Sequence, residues 1–221
     1  TTSSSSPASR ERPNHRRRPA PLVGARHAHV VAAAMATGLA LGLPAAHSAQ
    51  RLATLPVTPR RLEPLLTTTG ATILGDDFKT TPETIYAGLA EAAQWPAARR
   101  WVVIGELWML PDSDIAGHYR SVAEAIADVA DEVITVGAPW VNHADAWRGL
   151  DVPVASVVTV AEAASRLRAA TGPDDLIYLK GDEDFRLRRI TLSLQGRPVT
   201  CNRVECRRRQ LMCDDCGDLR S

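Results

Sequence analysis

Short apolar runs alternate with helix-length segments beyond residue 70, and this alternation narrows the possible folds more than any other feature of the chain. The runs lie at residues 73–74, 100–107, 132–137 and 175–181, and the intervening segments include predicted helices at 82–94 and 121–129. The runs are rich in β-branched residues, as is typical of parallel strands buried on both faces. The pattern predicts an α/β fold with a mainly parallel, Rossmann-like sheet and flanking helices.

A turn with the composition of an anion site joins the first apolar run to the helix that begins at Pro82. Proline is pre-organised for the first helical position, where its missing N–H would have no partner in any case. The free N–H groups of that first turn, with Lys79, Thr80 and Thr81 beside them, suit an anion such as a phosphate. Because ligands of open α/β sheets bind outside the carboxyl ends of the strands, this turn is a candidate site.

Several strand-to-loop junctions follow in a characteristic order. They read Asp76-Asp77 running into Thr81-Pro82, then Gly105-Glu106-Leu107, His118, Val136-Gly137 and Lys180-Gly181-Asp182. This order resembles the C-terminal domain of the Mur ligases, in particular the UDP-N-acetylmuramoyl-tripeptide D-alanyl-D-alanine ligase branch. Upstream, residues 24–43 resemble the helix that closes the family's central ATPase domain, and residues 60–63 resemble the interdomain hinge. The resemblance covers roughly residues 24–195.

The chain also departs from the family pattern. The turn at residues 78–81 is shorter than in that branch and closer to the diamino-acid-adding branch, and Asp182 replaces a serine. No Gly-x-x-x-x-Gly-Lys-Ser/Thr motif occurs in the sequence, so the phosphate loop of the ATPase domain is absent from it. The N-terminal domain that recognises the UDP-sugar in the family is also missing from this sequence. We therefore expect a truncated or split member.

The resemblance implies roles for individual residues. Lys79 and Thr81 would be catalytic, near the terminal phosphate; Arg61, as the hinge arginine, and Asp77 would bind the nucleotide; His118, Lys180 and Gly181 would bind the acceptor substrate. Each of these residues also has a structural alternative. Thr81 is a natural helix N-cap, Asp77 can serve the turn and His118 can help to start its helix. Lys79 and Arg61 can be solvated surface residues, and Lys180 can be an ordinary strand exit. ATP with Mg²⁺ is the cofactor implied by the family.

All four cysteines lie in the last 21 residues, as Cys201, Cys206, Cys213 and Cys216. Their C-x4-C-x6-C-x2-C spacing is typical of a structural Zn²⁺ site, in which four thiolates form a closed tetrahedron. Two disulfides, free thiols or an iron–sulfur cluster are the alternatives. The interleaved arginines can either attract an anionic partner or balance the thiolates.

Four regions are expected. They are a disordered basic tail (1–22), a remnant of the central-domain helix with the hinge (23–70), the Mur-ligase-like α/β domain (71–197) and a four-cysteine module (198–221). Residues 16–49 can also be interpreted as a signal peptide with a basic start and an apolar run, which with oxidised cysteines would give a secreted, disulfide-stapled domain. The apolar run is short for a membrane span, which needs about 20 residues.

The function expected from the resemblance is part of an ATP-dependent carboxylate–amine ligase of cell-wall peptide or related polymer synthesis, located in the cytoplasm. The partners would be a nucleotide, an amino-acid or dipeptide acceptor and a separate ATPase-domain chain. A net charge of +1 gives no argument for nucleic acid or a membrane surface. The alternative is a non-catalytic binding or regulatory module with a structural zinc site.

Overall fold

The computed structural model describes residues 27–108, 110–206 and 212–220. The expected basic tail at 1–22 lies outside these residues. The helices are α1 (Ala28–Ala40), α2 (Ala45–Ala53), α3 (Pro82–Gln94), α4 (Ile115–Ala127), α5 (Ala138–Asn142), α6 (Val160–Ala170) and α7 (Arg188–Leu194). The strands are β1 (Glu63–Leu66), β2 (Thr72–Asp76), β3 (Arg100–Ile104), β4 (Glu132–Val136), β5 (Val154–Val157) and β6 (Leu176–Lys180).

The six strands form one sheet in the order β1-β2-β6-β3-β4-β5. Every pairing is parallel except that of β1 with β2, in which Glu63 lies opposite Gly75. The predicted α/β fold with a mainly parallel sheet is therefore confirmed. No helix in the described part of the chain has the length and apolar character needed to cross a bilayer.

Helices cover both faces of the sheet and make two separate apolar cores. On one face, α3, α4 and α5 pack on side chains such as Leu74, Val102 and Tyr178. On the other face, α6 and α7 pack on the alternate side chains of the same strands, such as Ile73 and Val103. This alternation follows from the two-residue period of a strand, and it explains why the strand sequences are apolar throughout.

Two sequence expectations need correction. Helix α4 begins at Ile115, not near residue 121, because the side chain of Asp114 accepts a hydrogen bond from the Gly117 N–H and starts the helix early. The run at 100–107 forms a strand only as far as Ile104, where the chain turns away at Gly105. Strand β1, which was not predicted, lies within the expected hinge region.

Candidate functional site

The carboxyl ends of β2, β3 and β6 meet where the chain leaves the sheet in opposite directions. Helices α3 and α4, which follow β2 and β3, lie on one face, whereas α7, which follows β6, lies on the other. Strand β6 lies between β2 and β3, so its connection leaves the sheet on the opposite face from the connections of both neighbours. This is a topological switch point, where doubly wound sheets bind their ligands.

Hydrogen bonds to backbone atoms connect the three loops at this edge of the sheet. Thr80 Oγ1 donates to the Glu106 carbonyl at 2.8 Å, and the Trp108 N–H donates to the Thr80 carbonyl at 3.3 Å. The Gly105 N–H donates to the Lys180 carbonyl at 2.8 Å. The turn after β2, the loop after β3 and the turn after β6 therefore form one connected wall.

Gly105 and Gly181 allow these loops to approach each other closely. A Cβ atom at Gly181 would lie 2.6 Å from Leu187 Cδ1, and one at Gly105 would lie 3.0 Å from the same atom. The acceptor-binding role predicted for Gly181 stays a prediction. Packing against Leu187 explains why this position has no room for a larger side chain.

Lys79 is the partly exposed cation of this edge. Its Nζ lies 3.8 Å from both Asp182 Oδ2 and Glu183 Oε1, and a third of the side chain (34%) remains exposed. The rings of Phe78 and Trp108 lie 5.5 and 5.9 Å from the same Nζ. Ion pairs of this length at a partly exposed site are weak, so the ammonium can reach an incoming anion.

Thr81 is the N-cap residue of α3, which begins at Pro82 as predicted. Its side chain makes no capping bond to the backbone; Oγ1 donates instead to Thr84 Oγ1 at 3.3 Å. The structural alternative for Thr81, a side-chain cap, is thus not the geometry observed.

Lys180 differs from Lys79 in being buried. Its Nζ lies 2.8 Å from Asp76 Oδ2, and only 1% of the side chain is exposed. The hydroxyl of Tyr178 donates to the same carboxylate oxygen at 3.3 Å. The predicted contact of Lys180 with an acceptor stays a prediction, because in this structure the ammonium faces a buried carboxylate. The sequence contains 26 lysines and arginines, of which only Lys79 and Lys180 are lysines. Lys180 is the last residue of β6, and Lys79 lies in the turn that follows the neighbouring strand β2.

Asp77 is fully buried and paired with Arg60, the neighbour of the predicted hinge arginine. Arg60 Nε donates to Asp77 Oδ2 at 3.2 Å, and Arg60 Nη2 donates to the Asp77 carbonyl. Burial raises the pKa of Asp77, although the charges of Arg60 and Arg188 oppose the increase. The guanidinium of Arg61 lies 4.3 Å from the centre of the Phe78 ring. Nucleotide contacts of Arg61 and Asp77 stay predictions; Arg60 is the hinge arginine that hydrogen-bonds Asp77, whereas Arg61 contacts the Phe78 ring.

His118 lies near the start of α4, partly buried, immediately before an aromatic cluster. Within that cluster Tyr119 stacks on His143 at 4.3 Å and meets Trp140 edge-on at 4.6 Å. Trp140 Nε1 donates to the Gly105 carbonyl at 2.8 Å, which supports the loop after β3 from behind. Substrate contact by His118 stays a prediction.

Sequence reasoning overlooked Glu106 as a site residue. Burial, together with the charges of Glu205 and Asp182, raises the pKa of this carboxyl. Its position directly after a strand that ends at the switch point was the available signal.

The four cysteines line one small cavity together with Arg186, Arg189, Arg203, Asp218 and Leu219. All four are free thiols, and Arg189 Nη1 lies 3.5 Å from Cys201 Sγ. Burial raises the pKa of Cys213 to about 11, against the opposing charges of Arg186 and Arg189. Across the described ranges, no three His, Cys, Asp or Glu residues are arranged to hold a metal ion. The predicted zinc site is therefore not confirmed by the geometry.

Comparison with known proteins identifies the family. The family model for the Mur ligase glutamate ligase domain matches residues 60–182. The UDP-N-acetylmuramoyl-tripeptide–D-alanyl-D-alanine ligase of Mycobacterium leprae is 30% identical over 186 residues, covering 74% of this chain and 35% of that protein.

Solved structures agree on the fold. MurF of Acinetobacter baumannii superposes with a TM-score of 0.68 at 19% identity, covering 79% of this chain and 38% of that chain. The MurF ligase of Thermotoga maritima, solved in complex with ADP, gives a TM-score of 0.61 at 17% identity over 73% of this chain and 36% of that one. The chain thus spans little more than a third of the length of these relatives. With 123 of its 221 residues inside the family match, the chain belongs to the Mur ligase family and carries its C-terminal, glutamate ligase domain.

Proposed function

We propose that this chain acts as the C-terminal domain of an ATP-dependent, ADP-forming carboxylate–amine ligase of cell-wall peptide synthesis, in the cytoplasm. The observation that carries the proposal is that Lys79 lies partly exposed at the switch point, beside the three loops that hydrogen bonds connect. The presence of ADP in the Thermotoga maritima relative supports a nucleotide as one ligand.

In such a reaction a substrate carboxylate accepts the terminal phosphoryl group of ATP, giving an acyl phosphate and ADP. An amine then attacks the acyl carbon, and phosphate and a proton leave as the amide forms. Charge develops on phosphoryl oxygens, so a positioned cation lowers the barrier. Lys79 Nζ, with the Thr81 hydroxyl, would serve the terminal phosphate, while Arg61 and Asp77 would meet the nucleotide when the hinge closes.

Asp182 and Glu183 supply the carboxylate oxygens beside Lys79. Mg²⁺ commonly binds through one or two carboxylates and the substrate phosphates, so these residues fit the ion that accompanies ATP. His118, Lys180 and the Gly181 backbone would border the acceptor, an amino acid or dipeptide. The given sequence contains no Gly-x-x-x-x-Gly-Lys-Ser/Thr loop, and a separate ATPase-domain chain is the partner proposed to supply one.

The two lysines make the test simple. Brief acetylation of the folded chain, read by peptide mass spectrometry, should modify Lys79 and the N-terminal amine but spare buried Lys180. Millimolar Mg·ATP should then protect Lys79 severalfold, whereas the N-terminal amine, as the internal control, should be unaffected. Equal labelling of Lys79 with and without Mg·ATP would contradict a role for this turn at the terminal phosphate. The chain alone should release no ADP from ATP.

A second candidate function is a non-catalytic binding or regulatory module with a structural zinc site. The observation that favours it is the convergence of Cys201, Cys206, Cys213 and Cys216 on one cavity from positions spread over 16 residues. Zinc would have to draw the four sulfur atoms closer than they lie in the present structure. Native mass spectrometry with and without a strong chelator tests this: one bound zinc that the chelator removes is expected. A metal-free chain, whether reduced or four hydrogens lighter, would contradict the zinc site.

A further inference from the structure

Arg188, at the start of α7, connects the C-terminal segment to the hinge strand β1. Its Nε lies 3.0 Å from Asp214 Oδ2 and its Nη2 lies 2.8 Å from Asp214 Oδ1, a two-pronged contact with one carboxylate. The remaining nitrogen, Nη1, donates to Glu63 Oε2 at 2.8 Å. Two-pronged arginine–carboxylate contacts are among the stronger and more directional hydrogen bonds in proteins.

Glu63 continues the connection to the candidate site. Its Oε2 also accepts the backbone N–H of Arg60 at 3.0 Å. Arg60 in turn holds Asp77, at the start of the turn that carries Lys79. The sulfur of Met212 lies 3.9 Å from Arg60 Nη1, so the C-terminal segment touches this path a second time.

The path is largely shielded from water. Asp77 and Arg60 are buried, Arg188 is 8% exposed and Glu63 is 14% exposed. Burial alone would lower the pKa of Arg188, but its hydrogen bonds with Asp214 and the charge of Glu63 raise the pKa above its ordinary value. In such surroundings the loss of one partner leaves a charge uncompensated, which makes the members depend on each other.

The hinge backbone needs such support. Arg60 and Leu62 have φ angles of 63° and 51°, in the left-handed region that non-glycine residues seldom adopt. Residues in sparsely populated regions persist only where the surrounding structure holds them. At Arg60, the contacts with Glu63, Asp77 and Met212 are among those that hold the backbone.

We propose that residues 212–219 form a strap that holds the hinge (residues 60–63) and the site turn (residues 76–81) in one conformation, with Asp214 as its anchor. Asp214 is thus a positioning residue, which acts on the turn through Arg188, Glu63 and Arg60. This proposal depends neither on the ligase reaction nor on a metal, since it concerns contacts within the ligand-free chain.

Hydrogen exchange of the full chain, followed by mass spectrometry, tests the strap. Asp214→Asn keeps the size of the side chain but removes its charge, and it should accelerate exchange about tenfold or more in peptides covering residues 58–66 and 74–81. Asp218→Asn is the matched control in the same segment. It breaks the Arg203–Asp218 pair at 3.3 Å, whose side chains are 54% and 34% exposed, and should leave those peptides unchanged.

Acceleration confined to residues 212–219 in the Asp214→Asn variant would overturn the proposal, because the segment would then move without affecting the hinge. So would equal acceleration in strands β3 and β4, which would mean general destabilisation. If Asp214→Asn does not fold, Glu63→Gln probes the path from its other side. It should then loosen residues 212–219 as well as the hinge, and unchanged exchange at 212–219 would equally refute the strap.

Discussion

Replacing Lys180 with methionine should destabilise the fold far more than the same change at Lys79. The Lys180–Asp76 contact is 2.8 Å long, and the two side chains are 1% and 2% exposed. Removing one partner of a buried ion pair costs about 3–5 kcal/mol, because the other charge stays behind uncompensated. Lys79 lies 3.8 Å from its partners and is 34% exposed, so its loss should cost less than about 1 kcal/mol.

Urea unfolding followed by tryptophan fluorescence measures both changes, since Trp101 is buried in β3 and reports on the core. Domains are stable by about 5–15 kcal/mol, so Lys180→Met, at about 3–5 kcal/mol, should remove roughly a fifth or more of the total. The double variant Asp76→Asn/Lys180→Met should recover part of the loss, because no buried carboxylate charge then remains beneath the site.

A small effect at both lysines would refute this reasoning. It would mean that the Lys180 ammonium is not held on Asp76 in solution, and that Lys180 is free to face a ligand as the family resemblance implies. If Lys180→Met greatly lowers the free energy of unfolding and the double variant recovers none of it, Lys180 stabilises the fold through packing of its aliphatic stem and not through the charge pair.

Two further predictions concern stability away from the candidate site. Arg99 holds Asp175 through contacts of 2.8 and 3.3 Å, and although burial alone would raise the pKa of Asp175, these bonds lower it below 3.8. At pH 7 the free energy of unfolding of the wild type should therefore exceed that of Asp175→Asn by about 1–2 kcal/mol. This difference should vanish as the pH falls through the folded-state pKa of Asp175, and urea unfolding across pH 2–7 measures it. Gly88→Ala places a Cβ 1.8 Å from the Tyr178 hydroxyl and should cost about 1–3 kcal/mol in thermal or urea unfolding. Gly172→Ala, whose Cβ meets nothing within 4 Å, is the control and should be near neutral.

The regular elements after residue 70 were the part of the fold most accessible from sequence. Helix α3 occupies Pro82–Gln94 as predicted, because a proline at the first position and a buried strand before it leave little freedom in where the helix starts. Strand β1 was missed because Pro64 argues against a strand. An edge strand tolerates proline, since only one side of its backbone must pair.

The candidate site was harder to predict from the sequence, because its contacts join residues that are far apart in the chain. Nothing local in the sequence indicates that Lys180 pairs with Asp76, 104 positions away; the contact requires β2 and β6 to be neighbours. Likewise, Arg60 and Arg61 are adjacent and carry the same side chain, so the sequence does not show which of them turns inward. The left-handed backbone at Arg60 decides which guanidinium turns inward, and a backbone angle of this kind has no side-chain signal.

The antiparallel pairing of β1 with β2 attaches the hinge to the sheet by a ladder of hydrogen bonds. Glu63 lies directly opposite Gly75, so the first hinge strand residue is in register with the residue just before Asp76. A movement of the chain ahead of Leu62 would therefore be passed through the hydrogen bonds between β1 and β2 toward the turn that bears Lys79. We expect the orientation of the chain before the hinge and that of the candidate anion site to be coupled.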